Sequence, residues 1–344
     1  MDPLEALREI AFRLERALES TYRVQAFRTA AGVVATTDPA ELADRHRKGT
    51  LTELPGIGDR TATVIGQALD GRTPAYLEDV RGKPSPLPAL DTVGDRLLAQ
   101  LRGDLHSHSD WSDGGSPIDE MARTAAQLGH EYLALTDHSP RLTVANGLNP
   151  TRLRRQLEVV DEVNADLGPF RLLKGIEVDI LESGALDQEP ELLEELDVVV
   201  ASVHSKLRMD SAPMTRRMVA AIANPHTDVL GHCTGRYVTN NTRTGKPRPP
   251  SEFDAEIVFA ACKQFDVAVE INSRPERLDP PLELLRLAVE AGCLFSIDTD
   301  AHAPGQLDWR PYGVERAVAC GVPADRIVTT WDADRLLEWT RRAR

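Results

Sequence analysis

The sequence predicts an α/β barrel over roughly its last two thirds, preceded by a small all-α module. Three observations carry this. From Gly103 onward, short β-rich runs alternate with helical patterns, giving seven units in about 240 residues. Such alternation implies a parallel sheet, and seven units of that length suit a barrel of the (β/α) kind. The first hundred residues, by contrast, show helical spacing. Finally, histidines and carboxylates recur just after the β-rich runs, where a parallel barrel gathers side chains on one face.

The helical module opens with Leu4, Leu7, Ala11, Leu14, Ala17 and Leu18 at helical spacing. Further helical stretches cover Arg23 to Val34, Glu41 to Arg47 and Asp59 to Leu69, the last stopping at Gly71. Residues 82–102 hold Pro84, Pro86, Pro88 and Gly94 and read as a linker with at most a short helix. The expected division is therefore 1–81, 82–102 and 103–344. Strands are expected near Asp104–His106, Tyr132–Thr136, Leu172–Val178, Asp197–Val203, Asp228–Gly231, Val267–Ile271 and Cys293–Ile297. One intervening helix is expected to have Ser116 as N-cap and Pro117 as first residue, and to end at Gly129.

Composition excludes several classes. Hydrophobic residues make up 41% of the 344, enough for a core. No apolar run approaches bilayer length, and the acidic start at Met1-Asp2-Pro3 lacks a signal core, so a cytoplasmic protein without membrane contact is expected. Cys233, Cys262, Cys293 and Cys320 are widely spaced and read as reduced thiols. The net charge is −14, of which residues 1–103 contribute only −1. So acidic a chain is not a general nucleic-acid coat, though a carboxylate-rich cation site gives the same formal count.

Six of the nine histidines follow a β-rich run. They are His106 and His108, then His138, His204, His232 and His302. The third run ends in Gly175-Ile176-Glu177-Val178-Asp179, and the last leads into Asp300-Ala301-His302. In His106-Ser107-His108 the period of two turns both imidazoles to one side. Imidazole and carboxylate together suit zinc, iron or manganese. A lone histidine after a strand is ordinarily packed or solvated, but six with carboxylates at two further strand ends are hard to obtain by accident. His226 falls too early to share the site, and His130, at a helix end where a cation suits the dipole, reads as structural.

His106-Ser107-His108, Ser112-Asp113-Gly114, Thr136-Asp137-His138, Glu177, Ser202-Val203-His204, Gly231-His232-Cys233-Thr234-Gly235-Arg236 and Thr299-Asp300-Ala301-His302 resemble the polymerase-and-histidinol-phosphatase (PHP) domain family. The resemblance is greatest to the PHP domain at the C-terminal end of bacterial family X DNA polymerases, and Glu270-Ile271-Asn272-Ser273 with Arg277-Leu278-Asp279 reads like that subgroup. It implies a distorted (β/α)7 barrel holding two to three divalent transition metals. The implied ligands are His106, His108, Asp113, His138, Glu177, His204, His232, Asp300 and His302, with Glu177 bridging. Glu177 and Asp300 would lie at the reacting centre, and Arg236 and Arg277 are expected to clamp phosphate. Bound metals would bring the pKa of water towards neutrality and neutralise phosphate oxygens.

Leu54-Pro55-Gly56-Ile57-Gly58-Asp59-Arg60-Thr61-Ala62 resembles a helix-hairpin-helix, whose glycines permit a tight turn that can face a phosphate. Residues 1–81 resemble the small N-terminal domain of family X polymerases, implying DNA contact through Gly56, Ile57, Gly58 and Arg60. Residues 82–102 are too few for a polymerase palm, so polymerase activity is not expected. The resemblance to the animal repair polymerase would imply a Schiff-base lysine on the helix after the hairpin; residues 59–69 contain no lysine and Val64 corresponds to it, so lyase activity is not expected. The expected activity is hydrolysis of phosphodiester or terminal phosphate bonds at DNA ends, as in 3′-5′ exonuclease or 3′-end repair chemistry. The alternatives are a small-molecule phosphatase of the histidinol-phosphatase type and a non-enzymatic, metal-stabilised DNA-binding protein.

Overall fold

In the computed structural model, which describes residues 1–239 and 246–342, the chain divides into two compact units. The first comprises Met1–Pro86 with Ala303–Gln306, and the second comprises Leu87–His302 with Leu307–Arg344. Among the described residues, no helix is long and apolar enough to cross a membrane.

The first unit holds α1 (Pro3–Arg16), α2 (Thr21–Thr36), α3 (Pro39–Lys48), α4 (Asp59–Leu69) and α5 (Ala75–Gly82). Asp2 and Asp38 cap α1 and α3, each accepting two backbone N–H groups ahead of a proline. Leu7, Ile10, Leu14, Phe27, Ile65 and Leu77 fill the core between these helices. The sequence reading left α5 undescribed: it is short, and its burial rests on Leu77 and Val80 alone. Leu18 lies beyond the end of α1 at φ 53°, although its spacing continued the helical pattern.

The second unit begins with α6 (Thr92–Gln100), capped by Asp91, inside the segment read as a linker. Seven parallel strands follow, paired in sequence order: β1 (Gly103–Asp104), β2 (Tyr132–Leu135), β3 (Arg171–Asp179), β4 (Val198–Ser202), β5 (Val229–Leu230), β6 (Ala268–Asn272) and β7 (Leu294–Asp298). A parallel bridge between Ser107 and Ala301 brings the ends of the sheet together, so the barrel is nearly closed. The surrounding helices are α7 (Ile118–Gln127), α8 (Pro150–Leu167), α9 (Pro190–Leu193), α10 (Ser211–Ile222), α11 (Ala255–Gln264), α12 (Leu282–Ala291), α13 (Arg310–Ala319) and α14 (Ala333–Thr340). The start of α7 differs slightly from expectation, with Pro117 as its N-cap and Ile118 as first residue.

Strand periodicity sorts the side chains. Val199 and Ala201 of β4, Val269 and Ile271 of β6, and Phe295 and Ile297 of β7 join one apolar cluster with the helices. Val198, Val200 and Ala268 belong to another, together with Tyr132, Leu173, Trp331 and Leu336. A period of two places these sets on opposite faces of the sheet. Further along each strand, the face that carries Ala268 and Leu173 turns polar, presenting Glu177, Glu270, Asn272 and Asp298, all buried. Gly231 allows the tight approach of neighbouring strands, since a Cβ there would lie 2.3 Å from Ser202 Oγ.

Candidate metal centre

All nine side chains expected to act as ligands converge at the C-terminal ends of the strands. They form four overlapping groups: His108, Asp113, His138 and His302; His106, Glu177 and His232; His106, His108 and Asp300; and His138, Glu177 and His204. Glu177 is the hub. Its Oε1 lies 3.1 Å from His204 Nε2 and 2.9 Å from His232 Nε2. Its Oε2 lies 3.3 Å from His106 Nε2, 3.6 Å from His108 Nε2 and 2.9 Å from His138 Nδ1. Asp300 Oδ1 faces His108 Nε2 at 3.4 Å, and Asp113 Oδ1 lies 3.4 Å from both His138 Nε2 and His302 Nε2.

The residues fit a metal on grounds internal to the structure. His106 Nε2, both ring nitrogens of His108, His204 and His232, and Glu177 Oε1 are buried and make no hydrogen bond among the described residues. Buried polar atoms are nearly always paired, so a cluster of orphaned lone pairs calls for a cation. The imidazoles and carboxylates are strongly coupled: against the effect of burial, Glu270 and Glu177 raise His106, and Glu177 raises His138 and His204. Burial pushes Glu177 upward, yet His204, His106 and His138 hold it well below the usual carboxylate range. Burial, with His302 and His138 close by, pushes His108 down to about 3, which leaves it neutral as a ligand must be.

A surrounding layer of hydrogen bonds holds these groups in place. Asp137 sits under the β1–α7 loop, accepting Ser109 N–H at 2.8 Å, Ser109 Oγ at 2.6 Å and Gln156 Nε2 at 2.6 Å, together with the Ser112 hydroxyl. That fixes the loop between His108 and Asp113. Asp104 accepts the His106 N–H at 3.0 Å and the Thr299 hydroxyl at 2.5 Å, and burial raises it to about 6. Asp300 has φ 52°, a left-handed conformation that aspartate tolerates better than most residues. Its carbonyl accepts from Arg274 Nη1 at 3.0 Å, and His302 Nδ1 lies 2.9 Å from the same oxygen. Arg274 and Asp137 were missed as site residues because neither carries a spacing signal of its own.

The seven-strand parallel barrel and the nine convergent donors coincide with a match to the family model described as "PHP domain" over residues 104–273. The barrel is a PHP domain. Residues 1–74 match a "Helix-hairpin-helix domain". A DNA polymerase/3′-5′ exonuclease PolX of Bacillus subtilis is 40% identical over 232 residues, which are 66% of this chain and 40% of that protein. The chain thus spans well under half the length of that relative. A probable phosphatase of Thermoanaerobacter sp. is 28% identical over 253 residues, covering 69% of this chain and 94% of its own length. A histidinol phosphate phosphatase from Lactococcus lactis, solved with zinc, L-histidinol and phosphate, overlays with a TM-score of 0.45 at 17% identity, over 64% of this chain and 92% of that one. The chain is a metal-dependent phosphoesterase of the PHP type.

The PHP barrel uses its two expected arginines differently. Arg277 is buried, with Nε 2.9 Å from Asp300 Oδ2 and its guanidinium 4.6 Å over the Tyr237 ring. Its Nη1 is buried and has no hydrogen-bond partner among the described residues. Arg236 is a correction. Its Nε donates to the Arg277 carbonyl at 3.1 Å and its Nη2 to the Leu278 carbonyl, so it braces the Arg277 segment from behind. Burial together with nearby Arg310 pushes His130 well below its usual range, so it is neutral and supplies no cation to the helix end. His226 belongs to none of the four groups.

The hairpin also departs from expectation. Gly56 has φ 92°, but Gly58 has φ −99° and ψ 174°, an extended N-cap conformation open to any residue. The Ile57 side chain is buried in the helical core, and its N–H donates to Leu54 O at 3.0 Å. The Gly58 N–H donates to Thr61 Oγ1 at 3.0 Å. Neither N–H is spare for a phosphate, because the turn uses them to close itself. Arg60 is exposed, with its guanidinium 5.6 Å over the Tyr76 ring. Val64 is a core residue.

Proposed function

We propose that this chain hydrolyses phosphodiester or terminal phosphate bonds at DNA ends, in the manner of a 3′-5′ exonuclease or 3′-end processing enzyme. The observation that carries it is one chain combining nine convergent metal-type donors with a helix-hairpin-helix domain. His106, His108, Asp113, His138, Glu177, His204, His232, Asp300 and His302 would hold two to three divalent ions, zinc, manganese or iron, with Glu177 shared between two. Such ions supply Lewis-acid activation of water and neutralise phosphate charge.

The protein's own groups do the rest. Arg277 offers its Nη1 to a phosphate oxygen, while its contact with Asp300 and its seat on Tyr237 fix the plane of the guanidinium. Asp113, the most exposed carboxylate of the set, marks the side on which substrate enters. The helical module, residues 1–81, would engage duplex DNA, with Arg60 among its exposed cations.

The test is a hydrolysis screen of the metal-loaded protein on 3′-recessed DNA, abasic DNA, 3′-phosphate DNA and histidinol phosphate, with elemental analysis of the same preparation. Turnover of a DNA end above histidinol phosphate, and two to three ions per chain, are expected. A single ion per chain would refute the shared-carboxylate centre. A preference for histidinol phosphate would favour a small-molecule phosphatase, the reading suggested by a probable phosphatase matched over 94% of its length.

A further inference from the structure

Six of the seven barrel strands lead into residues of the nine-donor cluster, and β6 leads into none. Yet β6 carries two polar side chains, Glu270 and Asn272, on its inward face, both fully buried. A buried carboxylate is costly unless its oxygens are engaged. Here they are: Glu270 Oε1 lies 2.6 Å from His106 Nδ1, and Oε2 accepts the His232 N–H and the Asn272 amide at 3.2 Å. The same Asn272 nitrogen lies 3.2 Å from Asp300 Oδ2.

Building on the metal-centre reading above, we propose that β6 is the strand that orients the ligands: Glu270 is a positioning residue for His106 and His232, and Asn272 is one for Asp300. A carboxylate can only accept, so Glu270 assigns the imidazole proton of His106 to Nδ1. Nε2 is left as a lone pair pointing at Glu177 Oε2 (3.3 Å) and Asp300 Oδ1 (4.0 Å). A lone pair facing two carboxylates is repulsive unless a cation lies among them. The contact with the His232 backbone sets the strand end that aims the second imidazole at Glu177. One side chain thereby governs two donors that share a single group, and a carboxylate behind a ligating imidazole also raises its basicity.

The test is Glu270→Gln in the full chain, titrated with Co²⁺ against a competing chelator and monitored by visible absorption. Glutamine keeps the size, but its one carbonyl can serve either His106 Nδ1–H or the His232 N–H, and its amide then opposes the other. The expected result is a roughly 10- to 100-fold weaker affinity for about one of the bound ions, with the others retained and an altered Co²⁺ spectrum. The melting temperature in chelator should match wild type. Wild-type affinity for every ion would overturn the proposal. So would an equal loss of stability with and without metal, which would make Glu270 a structural anchor only. Should Glu270→Gln fail to fold, Asn272→Ala carries the test: several-fold weaker Co²⁺ binding supports the role of β6, and unchanged binding refutes it. Binding is measured without substrate, so a chain that cleaves no phosphate ester can still support this inference. A wild-type chain that binds no Co²⁺ would sink the metal centre and this inference together.

Discussion

The two units treat buried charge in opposite ways. In the helical unit, Arg28 and Glu15 are both buried and meet in a two-pronged pair, Nε to Oε1 and Nη2 to Oε2, each at 2.6 Å. In the barrel, both ring nitrogens of His108, His204 and His232 are buried and lack hydrogen bonds among the described residues. The first arrangement is complete as it stands and serves the fold. The second leaves donor atoms aimed at one another and is complete only with cations among them. Burial of polar groups alone does not distinguish a functional site from a structural one, whereas the pairing of those groups does.

The comparison breaks most sharply at Glu177. Glu177→Gln keeps the shape but removes the charge that faces five imidazoles, and should lower turnover of the metal-replete enzyme by at least roughly 100-fold. Circular dichroism and the apo melting temperature should be unchanged; turnover near wild type would remove Glu177 from its central place.

Arg28→Ala is the opposite experiment. It strands the Glu15 carboxylate and should cost the helical unit roughly 3–5 kcal/mol, read by hydrogen exchange within residues 1–81. Metal affinity of the barrel should not change. Equal exchange in both proteins would show the pair to be dispensable.

Chelation comes next in size. Each ion present at about 100 times its Kd stabilises the folded barrel by about 2.7 kcal/mol, so loss of even one should lower its melting temperature by roughly 5–10 °C. Amides of the helical unit should show no such dependence. A uniform loss across both units would contradict the contrast drawn here.

The smallest effect sharpens the hairpin. Gly56→Val places a Cβ 2.7 Å from Thr29 Cγ2 at a positive φ and should destabilise the helical unit by roughly 1–3 kcal/mol. At Gly58 nothing lies within 4 Å, so Gly58→Val should cost only the poorer N-cap, about 1 kcal/mol or less. If the hairpin grips duplex DNA, Gly58→Val should raise KM on a duplex end by roughly tenfold or less, about 1.4 kcal/mol, and leave a dinucleotide substrate unaffected. Unchanged KM on both would speak against DNA contact through this turn.

The strand-end histidines were legible because a parallel barrel turns seven distant strand ends into one surface, and because His-x-His and Asp-x-His carry the period of two on their face. Helix α1 was legible from apolar spacing. Helix α5 was not read, although its two buried residues, Leu77 and Val80, outnumber the single one of α3, Leu42. Gly56 and Gly58 look alike in sequence, and only the turn shows that one needs a positive φ and the other caps a helix. Arg236 and Arg277 were likewise indistinguishable until the Arg277 and Leu278 carbonyls were seen to occupy the first.

By itself, then, the chain's order of residues determined the barrel, the kinds of donor atom and the strand ends that bear them, because these depend on local periodicity and on a topology with few alternatives. Tertiary structure alone decided which atoms meet. Glu270 stands 164 residues from His106, and no spacing rule links them. Their contact exists because β6 lies two strands from β1 around a nearly closed barrel, with β7 between them, so that their inward faces share one interior.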